Sequence, residues 1–239
     1  MSRTNPFATR FIEPGALEYY VVPVHCQADK SRSEQSLEDL STQSLEGLVA
    51  KFRNGLNRRA AVVGPHGTGK STLLHALVPR LGVLERQCFP DWFTLPKDRS
   101  HDLNAKSGDR VRWFQLQSGT ATTSQLLSDH RDWTERSIIL VDGYEQLSQW
   151  QRWRLNRSLK SKGAGLLATA HSRPFGIPAL YETPEIESVR EIVIRRLLVH
   201  QPELIEQALA IPVSPANTTN LREHLFDLYD WFESLDRVG

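Results

Sequence analysis

Cysteine is nearly missing from this chain. Cys26 and Cys88 are its two thiols, too few for a disulfide scaffold and nowhere near metal-ligand spacing. Long apolar runs are missing as well. None approaches the roughly 18 residues of a membrane-spanning helix, and the amino terminus lacks a basic start followed by a hydrophobic segment. These absences point to a reducing compartment, a cytoplasmic protein and no integral membrane segment. Charge of one sign is also lacking: Lys+Arg 29 against Asp+Glu 28 leave +1. The field of the whole molecule therefore gives no argument for nucleic acid, although a local basic patch stays open. There are no internal repeats and no low-complexity tract. What remains is a soluble globular composition, 39% apolar and 24% charged over 239 residues, enough for one large domain or one domain with a small appendage.

Against that background one stretch stands out. Gly64-Pro65-His66-Gly67-Thr68-Gly69-Lys70-Ser71 follows the apolar run Ala60-Ala61-Val62-Val63 and precedes Thr72-Leu73-Leu74-His75-Ala76-Leu77-Val78. This is G-x-x-x-x-G-K-[ST] between a strand and a helix. Glycines let the backbone curl so that successive N–H groups point inward. The new helix adds its unpaired first-turn N–H groups and the positive end of its dipole. Lys70 then reaches β/γ phosphates as a point charge, and the Ser71 hydroxyl ligates Mg²⁺. The expected phosphate-binding set is Gly64, Pro65, His66, Gly67, Thr68, Gly69, Lys70, Ser71 and Thr72, with His66 a spacer side chain.

The remaining pattern alternates strands with helices. Residues 1–44 read as a proline-punctuated arm with aromatic residues, then a polar, Ser-rich linker. The arm is expected to cover its own sheet or reach a neighbouring subunit. Leu45, Leu48, Val49, Phe52 and Leu56 recur at helical spacing. Further strands are expected at 88–95, 111–116, 137–142, 165–171 and 189–194, with helices at 122–133 and 148–162 and a loop at 173–184. The helical pattern after the phosphate loop weakens over Pro79–Gly82. From Arg195 the pattern is helical, giving a small carboxy-terminal lid. The expected fold class is α/β, a doubly wound parallel sheet. Its divisions are 1–44 for arm and linker, 45–194 for the nucleotide-binding core and 195–239 for the lid.

Further residues carry candidate chemistry. Asp142 closes the apolar run Ile138-Ile139-Leu140-Val141, and a carboxylate at the carboxyl end of a buried strand faces the ligand crevice. There it holds Mg²⁺ opposite Ser71; the plainer reading is a turn opener in Asp-Gly. Glu145 either positions or deprotonates the attacking water or caps the following helix. Thr169 and His171 end the next strand, where one of them lines the γ phosphate; a lone histidine is also a common loop or cap residue. Arg173 is the nearest candidate for charge stabilisation. Trp150, Arg152, Trp153, Arg154 and Arg157 interleave on one helix. They suit an interface with a neighbouring subunit or nucleic acid, a solvated face, or tryptophans packed on the sheet.

The set resembles a known family. GPHGTGKS resembles a Walker A motif, IILVDGYEQL a Walker B motif, and GLLATAH the sensor-1 strand of AAA+ and related STAND ATPases. Asn220-Leu221-Arg222-Glu223, opening a helix, resembles the sensor-2 region of the AAA+ lid. The likeness covers residues 45–235. It implies a P-loop three-layer sandwich with strand order 5-1-4-3-2, ATP as the nucleotide, Mg²⁺ as its metal, and Arg222 reaching over the nucleotide. The chain departs from the family where the adjacent acidic pair of Walker B is Asp142-Gly143. It departs again in having no clear arginine finger and a reduced lid. No Asn/Thr-Lys-x-Asp guanine motif is present. The expected function is a Mg²⁺-dependent ATP-binding and ATP-hydrolysing switch or remodeller acting on a macromolecular partner, a protein or a second copy of the chain. A non-hydrolysing assembly scaffold and a small-molecule kinase are the alternatives.

Overall fold

The computed structural model describes residues 5–8, 19, 21, 45–84, 108–116, 122–184, 186–213 and 220–238. Most of the expected arm and linker, both cysteines, the expected strand at 88–95 and most of the following polar region lie outside the described residues. No helix among those described is long and apolar enough to cross a membrane.

Six parallel strands form one sheet: β1 (Arg59–Val63), β2 (Val83–Leu84), β3 (Arg110–Gln115), β4 (Ser137–Asp142), β5 (Gly165–Ala170) and β6 (Ala179–Glu182). Their spatial order is β2-β3-β4-β5-β1-β6. It differs from the expected five-strand order by the two-residue strand β2 on the edge beside β3; the other five keep the expected succession. Val62 pairs with Thr169 and Val141 with Ala168, so the strands of the three central motifs are neighbours.

Why these runs are continuously apolar follows from what covers them. Along β4, Ile138 and Leu140 join a cluster with Leu73, Leu74, Leu77 and Val78 of the helix Lys70–Leu81. Ile139 and Val141 point the other way and pack with Leu155 and Leu159 of the helix Gln149–Lys162. A parallel strand buried on both faces has no polar side to show. The helix over 45–50, which runs on as a π turn at Lys51–Gly55, covers the first face with Leu45, Leu48, Val49 and Phe52.

Three expectations are corrected. The last strand is Ala179–Glu182, inside the stretch read as a proline-punctuated loop. It sits at the sheet edge, where flanking prolines do not break a central ladder. The segment 189–194 belongs to the helix Ile186–Leu197. Its apolar residues Val189, Val193, Ile194 and Leu197 pack into one cluster with Leu198 just beyond its end, and a three-residue apolar run had masked that period. The helix Lys70–Leu81 continues through Pro79 and ends at Gly82, because a proline in the last turn removes a single N–H.

The carboxy-terminal helices make a third cluster. Ile194, Leu198, Leu204, Ala208, Leu221, Leu225, Leu228 and Phe232 pack together, joined by Phe7 from the amino-terminal arm. Arg190 fastens it: one guanidinium nitrogen donates to the carbonyls of Ala208, Leu209 and Ile211 at the end of the helix Ile205–Ala210, and Nε donates to His224. The core–lid boundary expected at 194/195 falls inside the helix Ile186–Leu197.

His75, on the helix Lys70–Leu81, lies against Trp113 with ring centroids 4.9 Å apart, and burial lowers its pKa from 6.5 to about 4. Below the unfolded value the denatured chain gains a proton that the native chain refuses. Stability is therefore lost as pH falls from about 6.5 to about 4. Urea melts across that interval are expected to show a shallower loss for H75L than for the native sequence.

Candidate active site

The loop between β1 and the helix Lys70–Leu81 closes on itself. Lys70 Nζ donates to the Gly64 carbonyl at 2.7 Å and to the Pro65 carbonyl at 2.5 Å. Thr68 Oγ1 lies 2.9 Å from the Pro65 carbonyl, to which it donates, and 2.8 Å from Thr183 Oγ1. Thr183 follows β6, and its N–H donates to the Val63 carbonyl. Gly67 has φ +70°, and a Cβ there would sit 1.7 Å from Asn220 Oδ1. Only a glycine lets the loop take that turn with the carboxy-terminal segment so close. Asn220 Oδ1 also accepts the Glu223 N–H at the start of the helix Leu221–Val238, so one side chain caps that helix and touches the loop. Tyr19 of the arm lies against Gly69 on the other side and packs edge-on to Tyr181.

Across the cleft, Asp142 ends β4. Ser71 Oγ donates to Asp142 Oδ2 at 2.8 Å, and Thr169 Oγ1 donates to Oδ1 at 2.6 Å. The Gly143 N–H in turn donates to Thr169 Oγ1 at 2.8 Å. Burial pushes the Asp142 carboxyl above its usual range, against the two hydroxyl donors and the charge of Lys70. Burial also lowers Lys70, while the Glu145 and Asp142 carboxylates pull it back up. The two shifts share a cause, since each charge has given up water and retains the other as counter-charge.

Gly143 explains the departure from an adjacent acidic pair. Its φ is +88°, and a Cβ at this position would meet the Leu116 carbonyl oxygen at 2.8 Å. The chain turns here into a short 3₁₀ helix, Tyr144–Gln146, which brings Glu145 back toward the strand ends. Glu145 Oε1 lies 3.2 Å from His171 Nε2. The second carboxylate oxygen, Oε2, is buried and has no hydrogen-bond partner among the described residues. The capping alternative for Glu145 is taken by another residue: Ser148 and Gln151 form a reciprocal capping box on the helix Gln149–Lys162. Arg152 anchors the turn by donating to the Glu145 carbonyl at 3.0 Å and lying over the Tyr144 ring.

His66, read from sequence as a spacer, has its ring centroid 3.9 Å from that of His171. Burial lowers the His171 pKa, Glu145 opposes this, and His66 and Lys70 reinforce it. The structure thus brings Lys70, Ser71, Asp142, Thr169, Glu145, His171 and His66 together. Pro65 is exposed on the loop, and Thr72 is half-buried in the first turn of the helix. Arg173 faces outward in an ion pair with Glu182 at 2.8 Å. Arg222 lies over Phe226 of its own helix, two residues beyond Asn220. Sequence reasoning did not single out Tyr19, Thr183 or the Asn220 side chain. An Asn before a helical run was a legible cap signal. Thr183 was hidden because its strand was misplaced.

A hydroxyl and a carboxylate oxygen facing each other are hard donors suited to Mg²⁺. Among the described residues no group of three or more His, Cys, Asp or Glu side chains is placed to hold a metal. No family model matches the chain, and no curated protein matches it. Among the solved structures similar to it is "Structure of C. elegans PCH-2", at 15% identity and TM-score 0.37 over 77% of this chain and 51% of that one. The chain spans about half the length of that structure. At such a score the reading of the site rests on its own geometry.

Gly143→Ala is expected to lower stability by about 1–3 kcal/mol, measured by denaturant unfolding, because the side chain forces both the backbone and the Leu116 carbonyl to move.

Proposed function

We propose that this protein binds ATP with Mg²⁺ and hydrolyses it to ADP and phosphate, as a switch acting on a macromolecular partner. The observation that carries the reading is the 2.8 Å bond from Ser71, at the end of the phosphate loop, to Asp142, at the end of β4. Two motifs far apart in the chain meet at the atoms that the chemistry needs, as in the AAA+ and STAND ATPases that the sequence resembles.

In this reading the loop N–H groups and Lys70 hold the phosphates. Ser71 and Asp142 would hold Mg²⁺, which would supply charge neutralisation at the phosphate oxygens. Thr169 keeps Asp142 oriented and ties it to the turn at Gly143. Glu145 aligns the attacking water and accepts its proton at Oε2, the oxygen with no hydrogen-bond partner among the described residues. His171 holds the other oxygen, and His66 carries that contact back to the phosphate loop. Through Asn220 the loop also touches the carboxy-terminal helices, so a change at the phosphates has a short route to them. Arg222 and Arg173 are proposed to serve the nucleotide after leaving Phe226 and Glu182. The compartment in this reading is the cytoplasm.

Titration with a fluorescent ATP analogue and phosphate release test this. K70A is expected to lose nucleotide binding. E145Q is expected to keep the affinity for ATP while turnover drops about 100-fold, the usual share of a positioned base. Unchanged turnover in E145Q would remove Glu145 from the mechanism, and unchanged binding in K70A would remove the nucleotide site itself.

A further inference from the structure

The helix Gln149–Lys162 buries Leu155 and Leu159. At about 100° per residue, its opposite side carries Trp150, Trp153, Arg154, Arg157 and Lys160 in one stripe. Trp150 is 61% exposed and Trp153 57%. By contrast Trp113 and Trp133 are buried, as indole rings in a stable core usually are. The Arg154 guanidinium lies 4.7 Å over the Trp150 ring, and the Arg157 guanidinium 5.6 Å over the Trp153 ring. The helix bears Arg152, Arg154, Arg157, Lys160 and Lys162 and no acidic residue. Acidic groups near it, Asp129, Asp132 and Glu135, belong to the segment packed at its carboxyl end, where Lys162 meets the Arg131 carbonyl and Glu135 meets Gly163. The end with the indoles is purely cationic along this helix.

We propose that this stripe binds single-stranded nucleic acid. Cations alone attract any polyanion, but two exposed indoles, each with a guanidinium lying over its ring, offer more than charge. Unpaired bases stack on aromatic rings and on arginine planes, while the guanidinium edges remain free for phosphate. A duplex hides its base faces, and an acidic peptide has none. The near-zero net charge of the chain is no obstacle, since a local patch of basic side chains without acids on its own helix accompanies the rings. The site is separate from the phosphate loop and does not depend on ATP hydrolysis.

The test uses the full chain without nucleotide and follows fluorescence anisotropy of a labelled oligodeoxythymidine of about 15 nucleotides at several salt concentrations. Binding is expected, with log K falling against log salt with a slope of about −2, the value for three neutralising cations on a single strand. W150A/W153A and R154A/R157A are each expected to weaken it by at least about tenfold. W150F/W153F, which keeps a stacking face, is expected to retain most of it. A labelled duplex of equal length and a labelled poly-glutamate of equal charge are expected to bind at least about tenfold more weakly. The proposal falls if the native chain does not bind the oligonucleotide, if both alanine pairs bind as the native chain does, or if the duplex or poly-glutamate binds equally well. Equal binding of poly-glutamate would assign the stripe to an acidic protein partner.

Discussion

A single hydroxyl–carboxylate contact organises this molecule. Ser71 and Asp142 meet because the helix after β1 and the end of β4 converge at the carboxyl end of the parallel strands, with β5 between the two. Each element has its own reason to be there: apolar faces on the helix and a strand buried on both sides. The price is a carboxylate removed from water. It is sustained by two hydroxyl donors and a neighbouring ammonium rather than by a full ion pair.

The turn after Asp142 follows from that arrangement. With Thr169 holding both the carboxylate and the Gly143 N–H, the backbone leaves β4 through a left-handed residue and returns as a 3₁₀ turn. Glu145 reaches the cleft by this detour, and Arg152 ties the same turn to the next helix. The helix that displays the exposed indoles is therefore one hydrogen bond from the backbone of Glu145.

Much of this was legible in the residues. The turn between β1 and the following helix announces itself because close backbone turns, a lysine and a hydroxyl occur there at fixed spacing, and β4 and β5 because strands covered on both faces are nearly continuous apolar runs. Asp142 and Thr169 followed from standing at the ends of those strands. The edge strand Ala179–Glu182 was not legible: it is short and framed by prolines, so its local pattern is that of a loop. The segment 189–194 was misread because three consecutive apolar residues satisfy a strand and a helix equally well, and only packing against Leu198 and Leu225 decides. The contact of His66 with His171 depends on loop curvature, which no spacing of residues encodes.

The arm offers a last consequence. Phe7 is sealed among the carboxy-terminal helices, where Asn5 also donates to the Tyr229 carbonyl and the Glu233 carboxylate. Tyr19 lies against Gly69 beside Tyr181. Residues near the start of the chain thus meet its last helix at one point and the Gly64–Ser71 loop at another. A protease cut or a binding protein that peeled this thread away would loosen both ends together, with no change to any residue in the cleft.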